Sequence, residues 1–411
     1  MPASPVDSND NHLLRSRLNV DEKLHDAKLE PENFLPTAQC IFFNEDLDND
    51  GVRLLELDGD LLHDLEAGKS LTVKGEDDEN CVLVTDDKTY ELRSAETSNV
   101  LLVTRDFVTN DDLKSDSEQS TGVYNGIEFP LVRAMFSEYL ETRKTKPKLQ
   151  KLRALLEENL YCGAVEEKDE SRVGKKYWKE DFVRKVQSSP VEVDEELVRL
   201  KAFEINGHWR LLDPDYFNSV LGHVLSLIDE NSWPLDSVPV EEVIEVLKDL
   251  EPEEVILNVL ESVGEEKKED DYKLLFCIDQ RRVAANFAQV ILQKAGRFNL
   301  DDFVSVWSAS MPEMFDKPDV TMLRGMALVD AKAVPPSVSY FPKDELPEDP
   351  PSRFDFLFRT REKWTREDIE PYLDDLTTAK LDVGGILMKY ARSSTVNGVK
   401  YFSSRKTMTK R

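Results

Sequence analysis

Cysteine and histidine are scarce in this chain, and their scarcity removes most small-site chemistry. The 411 residues hold four cysteines and five histidines. Cys40, Cys81, Cys162 and Cys277 lie far apart and never form a C-x-x-C pair. A reducing intracellular compartment with buried thiols is therefore expected, rather than a disulfide framework or a zinc site. His12, His25, His63, His208 and His223 make no H-E-x-x-H pair, so no metal or other cofactor is expected. No G-x-x-x-x-G-K-[ST] loop cradles a nucleotide and no G-x-S-x-G elbow presents a serine, which speaks against an enzyme. Apolar runs fall well short of the roughly eighteen residues of a membrane-spanning helix, and the polar N-terminal stretch lacks the apolar block of a secretory signal. The nearest approach to a metal motif is Asp46, Asp48, Asp50 and Gly51, which opens like a calcium loop. Its closing position holds Leu57, with Glu56 one place early, so a solvated turn is expected.

What is abundant is acid. Against 53 Lys plus Arg stand 82 Asp plus Glu, a net charge of −29. A polyanion repels nucleic acid, so any DNA contact must come from a local basic patch. The charge is uneven. Residues 1–141 carry 32 acids against 12 bases, whereas 377–411 carry eight bases against Asp382 alone. Opposite signs at the two ends point to different partners at each end.

Residues 1–36 read as loose, with at most a short helix near Val20–Lys28. Residues 37–141 read as β-rich. Short apolar runs at Ala38–Phe43, Val52–Leu57, Ser70–Val73, Cys81–Val84, Thr89–Leu92 and Val100–Val103 are each bounded by turn residues. Asp86 to Lys88 looks like a hairpin turn, Leu61–Glu66 a single helical turn, and the acidic segment 106–121 a linker. Six short strands are few for a closed barrel, so a partial barrel with unpaired edges is expected. Such edges invite another chain's strands.

From residue 142 the chain repeats. An acidic pair before an apolar residue recurs at Glu180-Asp181-Phe182, Glu241-Glu242-Val243, Asp301-Asp302-Phe303 and Glu367-Asp368-Ile369. Acids suit the first turn of a helix, at the positive end of its dipole. Asn299 and Thr365 stand three residues before Asp302 and Asp368, as helix caps do. Helical apolar spacing follows in sets such as Val240/Val243/Ile244/Leu247 and Leu300/Phe303/Val304/Trp307. A second amphipathic segment comes next at Val193–Phe203, Val255–Val263, Val320–Leu328 and Val383–Tyr390, then an extended stretch. In the first and last copies that stretch carries Asn206-Gly207 and Asn397-Gly398, the favoured hairpin pair. A further helix precedes each copy. Three helices and a hairpin make a winged-helix unit. The expected fold class is thus α+β: a β-rich partial barrel followed by tandem winged helices over 142–213, 214–280, 281–348 and 349–411. Trp178, Trp209, Trp307 and Trp364 fall at equivalent places and are expected to pack, as are Met311, Met314, Met322 and Met326.

Particular strings carry a family resemblance. Lys88-Thr89-Tyr90-Glu91-Leu92 followed by Thr97-Ser98-Asn99-Val100-Leu101-Leu102 resembles the sister-chromatid-cohesion subunit of the alternative replication factor C clamp loader. So do Lys146-Pro147-Lys148-Leu149 running into Leu155-Leu156, Gly207-His208-Trp209-Arg210, Leu323 through Asp330, Arg361 through Ile369, and Asn397 through Lys400. The pieces run in order from about residue 37 to the C-terminus. The resemblance implies a nuclear, non-catalytic subunit that joins a small partner and the tail of the large ATPase subunit in a composite β-barrel. It implies docking on DNA polymerase epsilon, with the sliding clamp as the loaded ring, and three winged helices rather than four.

Two sets of candidate site residues follow. For partner binding they are Thr89, Tyr90, Leu92, Thr97, Ser98 and Asn99 with the basic Arg143, Lys144 and Lys146. For DNA they are Lys389 and Arg392, placed on the expected recognition helix, and Lys400, Arg405 and Lys406 flanking the wing. With no base-reading pattern evident, that contact is expected to be weak and independent of sequence. Two other classes stay open on the residues alone: a winged-helix protein scaffold and a stand-alone DNA-binding regulator.

Overall fold

The computed structural model of the chain describes residues 17–29, 38–43, 52–76, 79–104, 107, 127–128, 130–168, 174–270, 273–331, 333–378 and 381–405. The Asp46 turn, most of the 106–121 segment and Lys406 lie outside the described residues. The molecule is mixed α/β. Its residues divide into Met1–Leu71 with Tyr90–Thr145, and Thr72–Thr89 with Lys146–Arg411.

Two long antiparallel strands, Thr89–Thr104 and Leu131–Lys144, dominate the first unit. The runs Thr89–Leu92 and Val100–Val103, expected as separate strands, belong to one. The polar residues between them are absorbed as a bulge, because pairing jumps from Glu96–Glu138 to Leu101–Phe136. Phe42–Phe43 and Leu55–Glu56 pair parallel to Leu131–Val132 and Leu140–Glu141. The helical turn at Leu61–Glu66 is a full helix, Gly59–Glu66, with Asp58 accepting the Leu61 N–H at 2.9 Å. A helix at Arg17–Asp26 stands where a short one was expected. Among the described residues no sheet closes into a barrel.

Thr72–Lys74 and Val82–Val84 form an antiparallel hairpin whose residues fall in the second of the two units. Lys74 Nζ donates to the Val183 carbonyl at 2.5 Å and the Ser188 carbonyl at 2.7 Å, and the Gln187 amide donates to the Asn80 carbonyl at 2.9 Å. Burial holds the Lys74 ammonium below the usual lysine range.

One order of elements then recurs: helix, short strand, helix, helix or tight turn, hairpin. The first copy runs through helix Gln150–Glu157, the single bridge Tyr177–Trp209, helices Lys179–Lys185 and Pro190–Arg199, and strands Phe203–Ile205 and His208–Arg210. The second has helix Pro214–Glu230, strand Val238–Pro239, helices Val240–Leu247 and Glu253–Val263, and strands Gly264–Asp270 and Lys273–Ile278. The third has helix Gln280–Ala295, strand Arg297–Asn299, helix Leu300–Ser310, and strands Ala327–Asp330 and Ser337–Tyr340. The fourth has helix Pro350–Thr360, strand Trp364–Thr365, helices Arg366–Ile369 and Val383–Tyr390, and strands Ala391–Val396 and Val399–Ser404. In the last three copies the final strand lies between the short strand and its hairpin mate.

The caps work as expected. Asn299 Oδ1 accepts the Asp301 and Asp302 N–H groups at 2.9 and 3.3 Å, and Thr365 Oγ1 accepts that of Asp368 at 3.2 Å. Both Asn-Gly turns place two residues at positive φ: 52° and 79° at Asn206-Gly207, 51° and 79° at Asn397-Gly398. The third copy departs from expectation. Val320–Leu323 is one 3₁₀ turn, Gly325 at φ 80° ends it, and Ala327 begins a strand.

One continuous apolar core runs from Tyr161, Phe203 and Ile205 of the first copy through the second to Trp307 and Val338 of the third. The first copy also has its own core around Leu152 and Phe182, and the fourth one around Trp364 and Tyr372. Trp307 and Trp364 are fully buried, whereas Trp178 is 51% exposed, its ring tilted against His208 at 4.3 Å. Packing therefore does not explain that tryptophan. Met311 is buried, and Met314, Met322 and Met326 pack against the shared core. The buried-thiol expectation fails: all four cysteines are exposed and free. Cys277, for one, points outward between inward-facing Phe276 and Ile278.

Candidate partner edge and basic hairpin

In the sheet unit, strand pairing leaves apolar surface uncovered. Along the strand Thr89–Thr104, side chains alternate between the two faces. Val100, Leu101, Leu102 and Val103 are nevertheless 55, 40, 44 and 36% exposed, so both faces are open there. Phe42 and Phe43, on the parallel strand across the sheet, are also exposed, as is Leu131. Exposed aliphatic residues on two faces of one strand segment match what another chain's apolar surface covers.

The expected partner residues divide. Thr97, Ser98 and Asn99 form the bulge, where the Thr97 hydroxyl donates to the Asn99 carbonyl, and they border the open segment directly. Leu92 is half-buried, opposite Thr142. Thr89 and Tyr90 are buried and cannot offer a surface. Arg143 donates to Glu141 at 2.9 Å, and it and Lys144 are exposed at the far end of the ladder. Lys146 is used inside the helical unit: its ammonium donates to the Asp375 and Thr377 carbonyls at 2.5 and 3.2 Å. Desolvation holds it below the usual lysine range, partly opposed by Asp375. Sequence reasoning missed the strand Leu131–Lys144, although its alternation of buried Val132, Ala134 and Phe136 was a readable signal.

The second candidate is the final hairpin. No acidic residue lies between Val383 and Arg405. Lys389 sits in the last turn of helix Val383–Tyr390, its ammonium 5.1 Å from the Tyr390 ring centre. Arg392, expected on that helix, is instead the second residue of strand Ala391–Val396, because the helix stops at Tyr390. Pairing puts Arg392 opposite Ser403 and Lys400 opposite Thr395, so the two cations project from opposite faces of the ribbon. Arg405 turns back into the fold: Nε donates to the Ala391 carbonyl at 3.1 Å and Nη2 to that of Met388. Lys389, Arg392 and Arg405 thus gather at the ribbon's base, and Lys400 stands apart near its tip. The equivalent helices elsewhere are acidic. Pro190–Arg199 carries Glu192, Asp194, Glu195 and Glu196, and Glu253–Val263 carries Glu253, Glu254 and Glu261 without a base. Among the described residues no group of three His, Cys, Asp or Glu side chains is placed to hold a metal ion, and no helix is long and apolar enough to cross a membrane.

The sequence family described as sister chromatid cohesion protein Dcc1 matches residues 52–373. The chain belongs to this family. It is 40% identical to the mouse sister chromatid cohesion protein DCC1 over 96% of this chain and 98% of the relative. The zebrafish and human proteins of that name are each 38% identical, over 96 and 97% of this chain and 99 and 100% of theirs. Membership of the Dcc1 family assigns the chain to sister chromatid cohesion, a cell-cycle task carried out by a complex of subunits.

Proposed function

We propose that the chain is a non-catalytic, nuclear subunit of an alternative replication factor C clamp loader. Its open sheet takes strands from the tail of the large ATPase subunit and from a small cohesion subunit, completing a composite barrel. The assembly tethers to DNA polymerase epsilon and acts on the sliding clamp through the loader. The four helix-and-hairpin copies are winged helices, and the last contacts DNA weakly and without base reading. The acidic third helices of the first two copies favour protein over phosphate as their neighbours.

The observation that carries this reading is the exposure of the four consecutive aliphatic residues Val100–Val103 on both faces of their strand. A partner segment laid there buries that aliphatic surface. The test is co-expression with the large subunit's tail and the small subunit. Leu102→Asp should abolish co-purification of both and leave the helical unit folded. Undiminished assembly of Leu102→Asp would reject Val100–Val103 as the joining surface.

A further inference from the structure

The first copy meets the 343–348 segment, which joins the third copy to the fourth, and the fourth copy itself through charged and polar groups. Lys146 donates to the Asp375 and Thr377 carbonyls, 229 and 231 residues away. Arg153 Nη1 donates to the Asp344 carbonyl at 3.2 Å and lies 3.8 Å from the Asp344 carboxylate. Arg199 Nη1 approaches the same carboxylate at 3.6 Å. The backbone N–H of Gln150 donates to Glu348. On the far side Lys343 lies 3.5 Å from Asp375, and buried Arg353 holds that carboxylate with Nη1 at 2.6 and 2.7 Å.

The other joints are built differently. One apolar core spans the first three copies, and Leu328 and Phe341 of the third pack into the core of the fourth. The cores around Leu152 and around Trp364 share no residue. Successive copies are thus joined by apolar packing, whereas the first copy meets 343–348 and the fourth copy through the polar contacts above.

We propose that these contacts form a salt-labile clasp, closing the helical unit on itself and able to release without unfolding any core. Partly exposed ion pairs are screened by salt, whereas apolar cores are not weakened by it. Releasing the clasp loosens the hold on the fourth copy, while Arg153 and Arg199 keep their pairs with Glu157 and Glu196 on their own helices.

Hydrogen exchange on the full chain tests this, read at 148–153 and 343–349. Raising sodium chloride from about 0.15 M to about 1 M should speed exchange in both stretches together, by roughly fivefold. Asp344→Arg should give the same increase at the lower salt, and Lys146→Met a smaller one. Arg359→Glu, which removes an exposed pair with Asp355 elsewhere on the fourth copy, should change neither stretch. Exchange indifferent to salt and to Asp344→Arg would overturn the clasp. So would acceleration spreading into buried helix Pro214–Glu230, because the contact would then be part of the global fold.

Discussion

The Thr89 hydroxyl donates to Glu192 Oε2 at 2.5 Å, across 103 residues of chain. The same oxygen accepts the Ser189 N–H and hydroxyl, each at 2.9 Å, so one carboxylate both caps helix Pro190–Arg199 and holds the Thr89 hydroxyl. Thr89→Val keeps the shape and removes the donor. It should destabilise the fold by about 1–2 kcal/mol, seen as a lower urea midpoint with unchanged slope. A variant of wild-type stability that binds partners poorly would return Thr89 to the interface.

The two Asn-Gly turns share backbone geometry and differ in surroundings, which separates strain from collision. At Gly398 an added Cβ meets nothing, so Gly398→Ala should cost only the left-handed conformation, about 1–2 kcal/mol for that hairpin. At Gly207 the same atom would lie 2.4 Å from the Trp178 ring. Gly207→Ala should therefore cost more and should change Trp178 fluorescence. Equal costs would mean that Trp178 moves aside freely.

Of the basic candidates, only some have heads free to meet phosphate. Lys389→Ala and Lys400→Ala should each flatten the dependence of log affinity on log salt by about 0.9 if each contacts one phosphate. Arg405→Ala should instead loosen the base of the hairpin, raising exchange at Ala391–Val396, because its guanidinium binds the Ala391 and Met388 carbonyls. Titrations of short duplex DNA at several salt concentrations check the first pair. A slope unchanged in both lysine variants would make the hairpin's charge purely solvated.

Partial burial and the neighbouring Glu196 carboxylate push the Glu348 carboxyl above the usual glutamate range. A carboxyl that holds its proton more tightly when folded favours the fold at low pH, and that advantage is lost as pH rises past the ordinary value. Glu348→Gln should therefore raise the melting midpoint at pH 7 by more than at pH 4.5. Thermal melts at both pH values decide it, and an equal or reversed effect would contradict the assignment.

Local grammar was legible where the chain solves its problems locally. Asn299, Thr365 and both Asn-Gly pairs could be read because caps and tight turns depend on adjacent residues alone. The repeat was legible for the same reason, since each copy restates its acids and apolar stripe. Pairings between distant segments were not. The bulge at 97–100 joins two apolar runs only because Leu131–Lys144 lies alongside. The inward turn of Arg405 and the capture of Lys146 by Asp375 likewise need neighbours that spacing does not reveal. Basic residues read as binding heads because charge says nothing of where a side chain ends.

The shared core of the first three copies has a practical meaning for dissecting the molecule. Tyr161, Val224, Val259 and Trp307 belong to one apolar body, so a cut between any two of those copies opens an interior to water. The copies resemble interchangeable modules in sequence but are organs of one body in solution. A shortened chain that drops the second or third should report misfolding, whatever function the deletion was meant to remove. Point substitutions at solvent-facing residues, such as Trp178 or Lys400, are the route to separating their roles.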